Sequence, residues 1–128
     1  MEQSSDGLFA SIPRADKLNL FDGSRPKGQE IVGFLDLKKR DVASATKLPE
    51  GSVRYDLRMP DALRDWLTEL ATALNLVAEF FKDATKTNLW FKTPNPMLGN
   101  IPPIEMIRMG RLRKLLRFIQ SSLDQNVA

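Results

Sequence analysis

Residues 61–82, DALRDWLTELATALNLVAEFFK, form the stretch that most directly predicts the fold of this protein. Large apolar side chains recur there at three- and four-residue steps, the spacing that aligns them on one face of an α-helix. Leu76 and Phe80 add a second stripe, which predicts contacts on more than one side. Burial of such side chains stabilises by about 1.5–3 kcal/mol each, so this segment is predicted to be the central core helix. The first stripe consists of Leu63, Trp66, Leu67, Leu70, Leu74, Val77 and Phe81.

A helix of about residues 84–92 and a sharp corner are predicted next. The helix must end before Pro94 and Pro96, because proline lacks an amide donor and disfavours helical dihedrals in the residue before it. In the turn that follows, Gly99 can take a positive φ. Two prolines also lower the entropy of the unfolded chain, and the Asn95 side chain can satisfy amides of the loop.

The C-terminal region is predicted to be helical with a basic rim. Pro102-Pro103 opens this helix, which is expected to break at Gly110 and to resume to about residue 123. Its apolar face alternates with five cations, for which a solvated helix face and a partner-binding face are both open interpretations. The five are Arg108, Arg111, Arg113, Lys114 and Arg117.

Upstream of the central helix, residues 1–28 show neither helical nor strand periodicity and are predicted to form a flexible arm, either a disordered leader or a segment that docks on a partner. Helices are expected from residue 29 to the basic run at residue 38, at residues 41–46, and from Pro49 through Tyr55. No strand is predicted.

The three short helices of residues 29–60 can be interpreted as a degenerate helix-turn-helix module. Ala43, Leu48 and Val53 have the spacing of its core contacts. Lys47, Gly51 and Asp56 fit it poorly, because the motif commonly has glycine, a better helix former and an apolar residue at these positions. The alternative is a helical scaffold that supports dimerisation. The predicted DNA-binding residues are Lys38, Lys39, Arg40, Glu50, Ser52, Arg54, Tyr55 and Arg58.

Composition narrows the function. The 128-residue chain has no cysteine and no histidine, so thiolate nucleophiles, Cys/His metal sites and imidazole catalysis are excluded, and we expect a protein that is not an enzyme and needs no cofactor. The net charge of +3 permits contact with nucleic acid without requiring it. No run approaches 18 apolar residues, and Glu2 and Asp6 occur where a secretory signal would be basic, which predicts a cytoplasmic protein without membrane contact.

Residues 89–111, LWFKTPNPMLGNIPPIEMIRMGR, carry the most specific signal. They resemble the C-terminal toxin-binding domain of the antitoxin family named after Xre, MbcA and ParS, whose hallmark is a Trp-x-x-Thr-Pro-Asn-Pro-x-Leu-Gly turn followed by a Pro-hydrophobic-acidic helix. The order of elements over residues 29–128 also follows the family. The matching positions are Trp90, Thr93, Pro94, Asn95, Pro96, Leu98, Gly99, Pro103 and Arg108.

The resemblance implies an antitoxin of a type II toxin–antitoxin system. Similar proteins occlude a RES-domain toxin that consumes NAD or transfers ADP-ribose, and they often repress their own operon as homodimers. Toxin contacts would involve Trp90 and Asn95 or, if the corner is mainly architectural, the basic rim of residues 108–117, which would meet an acidic surface or a pocket for nucleotide phosphates. A stand-alone helix-turn-helix regulator that binds operator DNA is the alternative function.

The predicted architecture is therefore all-α, with a flexible arm (1–28), a degenerate helix-turn-helix module (29–60) and a small helical toxin-binding and dimerisation domain (61–128). The long central helix is expected to be shared between the two helical parts.

Overall fold

The computed structural model describes residues 16–127, and it confirms an all-α fold. A small antiparallel hairpin, β1 (Phe21–Asp22) and β2 (Arg25–Pro26), precedes the helices. Two short helices follow, and then the long central one. The helices are α1 (Gly28–Phe34), α2 (Lys39–Thr46), α3 (Asp61–Phe81), α4 (Ala84–Lys92), α5 (Pro103–Arg108) and α6 (Leu112–Val127), with 3₁₀ turns at Glu50–Ser52 and Pro96–Leu98.

Helix α3 is the core of the molecule, as its two apolar stripes predict. All residues from Leu70 to Ala78 are buried, including the polar Thr72 and Asn75. The Thr72 hydroxyl donates to the Thr68 carbonyl oxygen at 2.8 Å, so its burial leaves no unmet donor. Helices α1, α4 and α6 and strand β2 all pack against α3, which explains why its middle has no solvent face.

The hairpin corrects two expectations from the sequence, the absence of strands and the flexibility of the whole of residues 1–28. Gly23, with φ 65°, lies in the two-residue turn between strands too short to show alternation. Leu20 is buried, and Asn75 binds the preceding segment by accepting from the Leu18 amide (3.1 Å) and donating to Asp16 (2.9 Å). Residues 16–28 are thus held against the core, in which Leu20 is buried, and residues 1–15 of the predicted arm lie outside the described residues.

The prediction of a third helix in the helix-turn-helix module is also wrong. Lys47 adopts the left-handed conformation (φ 62°) expected of the residue in the turn, but the chain then makes only the 3₁₀ turn Glu50–Ser52 and becomes extended at Val53. The Asp56 carboxylate accepts hydrogen bonds from the Arg54 guanidinium and the Arg58 amide, which stabilises a non-helical loop. The segment therefore has no recognition helix.

Helix α1 ends at Phe34, short of the basic run to which it was expected to extend, but the helices after α3 match the prediction closely. Helix α4 has the predicted bounds, and its N-cap is Asp83, whose side chain accepts from the Lys86 amide at 2.8 Å. The C-terminal region breaks between α5 and α6, where Gly110 has a φ of 80°. Gly99 also has the predicted positive φ.

Candidate partner-binding surfaces

The corner after Trp90 is closed by its own hydrogen bonds. The Asn95 side chain accepts from the Met97 amide at 2.9 Å, and the Asn95 amide donates to the Ile101 carbonyl oxygen at 3.1 Å. The Thr93 hydroxyl donates to the Leu89 carbonyl oxygen at 2.6 Å. Asn95 therefore acts mainly as an architectural residue, because its side-chain oxygen already has a partner in the loop.

Trp90 contributes to an apolar groove between the end of α3, α4 and α6, which we call the Trp90 groove. The groove has a volume of about 80 Å³ and is open to solvent. The ring of Trp90 stands edge-on to that of Phe91, with centroids 5.0 Å apart, and Phe91 is fully buried. The core thus holds Trp90 in place while its ring remains partly exposed. The lining residues are Val77, Phe80, Phe81, Trp90, Ile119, Ser122 and Leu123.

Exposed apolar side chains lie in and beside this groove. Phe80 retains 52% of its surface in solvent, and Leu89, adjacent to Trp90 in α4, retains 63%. The spacing of the second α3 stripe predicts that Phe80 lies in the core, and it does not predict the groove. The second stripe of α3 was the available signal, but the sequence does not show that α4 and α6 leave the end of that stripe uncovered.

The five cations of the basic rim differ in whether they form ion pairs. Arg108 forms an ion pair with Glu105 on its own helix, and Arg113 forms one with Glu69 of α3. Both cations are thereby partly neutralised within the protein. In contrast, Arg111, Lys114 and Arg117 are exposed and have no ion pair among residues 16–127.

Helices α2 and α5 come together in a contact that we call the α2–α5 seam. Arg108 Nε lies 3.8 Å from Asp41 Oδ1, and a Cβ atom built on Gly110 would lie 3.3 Å from the Ala45 carbonyl oxygen. The seam therefore joins the first half of the described chain to the α5–α6 connection. It brings the basic run before Asp41 near the basic residues after Arg108, which are far apart in sequence.

The predicted DNA-binding residues do not share one helix face. Glu50 and Ser52 lie on the 3₁₀ turn, and Arg54 is ion-paired with Asp56 at 2.6 Å. This pairing, with the Arg58 amide, lowers the pKa of Asp56 from 3.8 to about 2.

Tyr55 has a packing role. Its ring lies against Gly28 at the start of α1, and burial raises the pKa of its hydroxyl. Arg58 is exposed in the loop, and the exposed run Lys38, Lys39 and Arg40 lies where α2 begins.

Residues 16–127 contain no cluster of three or more acidic side chains arranged to hold a metal ion. No helix within that range has the length and apolar character needed to cross a membrane.

Comparison with known proteins found no matching family model, curated protein or solved structure. The resemblance of residues 89–111 to the antitoxin family therefore stays a prediction from the motif itself.

Proposed function

We propose that this protein is the antitoxin of a type II toxin–antitoxin system and that it binds and occludes a RES-type toxin in the cytoplasm. The observation that carries the proposal is the position of Trp90. It is the first residue of the motif in residues 89–111, and its ring lines an apolar groove open to solvent. The tryptophan of the motif thus lies on a surface suited to a protein partner.

The chemistry of the groove favours an apolar side chain as the anchoring group of the partner. Aromatic rings and aliphatic groups line it, and Ser122 is the one polar residue among its lining. Protein interfaces gain most of their affinity from a few buried aromatic and aliphatic anchors surrounded by weaker contacts. Phe80 would serve as such an anchor, because it lines the groove and a partner seated there would remove its exposed area from water.

The loss of binding free energy on removing one anchor can be estimated from the exposed area of its side chain. Phe80 is 52% exposed, and a phenylalanine presents roughly 150–250 Å², so a partner would bury about 100 Å² of it. At about 25 cal/mol per Å², this contributes about 2.5 kcal/mol, or roughly 50–100-fold in Kd.

Co-expression with the product of the adjacent open reading frame tests the proposal. We expect that product alone to arrest growth, and co-expression to restore growth and give a complex that co-purifies. A neighbouring product that is harmless alone and does not bind would refute the assignment.

The groove is tested by single substitutions in that complex. Phe80→Ser should weaken binding by the amount estimated above and release the toxin. Leu57→Ser is the matched control, because Leu57 is 82% exposed in a loop that does not line the groove. Equal affinity of the two variants for the toxin would show that the partner binds elsewhere.

We further propose that the antitoxin is a homodimer that represses its own operon. The alternative, a stand-alone helix-turn-helix regulator, requires a helix at residues 49–58, where the described chain has a 3₁₀ turn and a loop instead. Contact with operator DNA would therefore need a different surface.

A further inference from the structure

Positive charge is concentrated in the two segments that form the α2–α5 seam. Residues 38–47 and 103–114 contain eight Lys and Arg residues against two acidic ones, a net charge of +6. The whole chain has 19 basic and 16 acidic residues, so the remainder carries a net charge of −3. Because the seam brings both segments together, the folded protein has one positive region, in which Glu69 of α3 pairs with one of the cations, Arg113.

Both carboxylates of the two segments lie beside the same cation. They are Asp41 and Glu105, and both contact the guanidinium of Arg108. Arg40, Lys47 and Arg111 flank the seam contacts directly, are exposed, and form no hydrogen bond or ion pair through their side chains with residues 16–127. Lys38, Lys39 and Lys114 extend the same set. Their charges are therefore free to interact with an anionic partner.

We propose that this cationic surface, centred on Arg40, Lys47 and Arg111, binds the phosphate backbone of duplex DNA. Neutralising phosphates with clustered cations is the main source of sequence-independent DNA affinity. A protein partner is less well matched, since interfaces depend on apolar anchors and Met109 is the one large apolar side chain exposed in the two segments. The surface does not require a recognition helix, and it is separate from the Trp90 groove.

The test measures binding of the full chain to a fluorescently labelled 30-base-pair duplex of mixed sequence, by anisotropy at 50 and 200 mM salt. A variant with three substitutions removes the central cations of the surface. A control variant removes three exposed, unpaired cations elsewhere and has the same net charge. The test variant carries Arg40→Gln, Lys47→Gln and Arg111→Gln, and the control carries Arg25→Gln, Arg58→Gln and Lys86→Gln.

We expect the wild type and the control to bind DNA with similar Kd and the test variant to bind at least tenfold more weakly. Loss of three phosphate contacts lowers the slope of log K against log salt by about 2.7, which corresponds to roughly a 40-fold smaller change between 50 and 200 mM. Circular dichroism checks that the variants are folded. If the triple variant loses helicity, the single variant Arg111→Gln replaces it, with a several-fold loss expected.

Three results would overturn the proposal. These are the absence of DNA binding by the wild type, an equal loss of affinity in the two triple variants, and tighter binding of the wild type to a poly-glutamate chain than to the duplex. This inference rests on the proposed repression of the operon, whereas toxin binding through the Trp90 groove is independent of it and is measured with the toxin and the Phe80 variant.

Discussion

We expect substitution by alanine to have opposite effects on stability at two glycines of α1. The comparison tests how the loop of residues 53–60 is held. At Gly28 an added Cβ atom would lie 2.4 Å from Cδ1 and 2.8 Å from Cγ of Tyr55, and 3.1 Å from a methyl carbon of Leu67. At Gly33 nothing lies within 4 Å. Both residues belong to the same helix, so Gly33→Ala is the control for Gly28→Ala.

The expected magnitudes follow from these distances. Contacts below 3.0 Å force the Tyr55 ring away from α1, and overpacking of this kind costs about 1–3 kcal/mol. Alanine stabilises a helix over glycine by about 0.5–1 kcal/mol, which offsets only part of this cost at Gly28. We therefore expect Gly28→Ala to destabilise by about 1–2 kcal/mol and Gly33→Ala to stabilise by about 0.5–1 kcal/mol.

Urea unfolding followed by far-ultraviolet circular dichroism measures both changes. A double substitution completes the test, because Gly28→Ala should become neutral or stabilising once Tyr55→Ala has removed the ring. If Gly28→Ala were as stable as Gly33→Ala in the presence of Tyr55, the ring would not pack against α1. Tyr55 would then be available for another role, such as the DNA contact predicted from the sequence.

Three further substitutions test the core, the hairpin and the loop. Leu70→Ala, at a fully buried position of α3, should lower the free energy of unfolding by about 2–5 kcal/mol in the same urea assay, and a loss below 1 kcal/mol would contradict a packed site. Asn75→Ala removes the bonds to the Leu18 amide and Asp16, so it should cost about 1–3 kcal/mol and make residues 16–27 sensitive to limited proteolysis; unchanged cleavage would refute this role. For Asp56, the folded-state pKa lies below the ordinary value, so its carboxylate stabilises the fold above pH 3.8 and loses this effect as the pH falls to about 2. The unfolding midpoints of wild type and Asp56→Asn should differ at pH 5 and converge near pH 2, and a difference that does not change with pH would exclude the Asp56–Arg54 pair as the cause.

The errors in the sequence interpretation have specific physical origins. The segment after Leu48 was predicted to be helical because Val53 has the spacing of a helix-turn-helix core residue. In the structure Val53 is indeed buried, but it reaches the core from an extended backbone. Spacing alone does not distinguish these conformations, because burial depends on where the side chain ends and not on the helicity of the chain that carries it.

Local sequence patterns were enough to predict the central helix, the bounds of α4 and the breaks at the proline corner and at Gly110. These features arise from periodicity, missing amide donors and positive φ angles, which act over a few neighbouring residues. The tertiary structure alone decided that Asn75 is buried against the hairpin, that Phe80 remains exposed beside Trp90, and that Arg40 and Arg111 flank one seam. These outcomes depend on groups distant in sequence, whose proximity is set by the packing of whole helices and is not encoded in any local pattern.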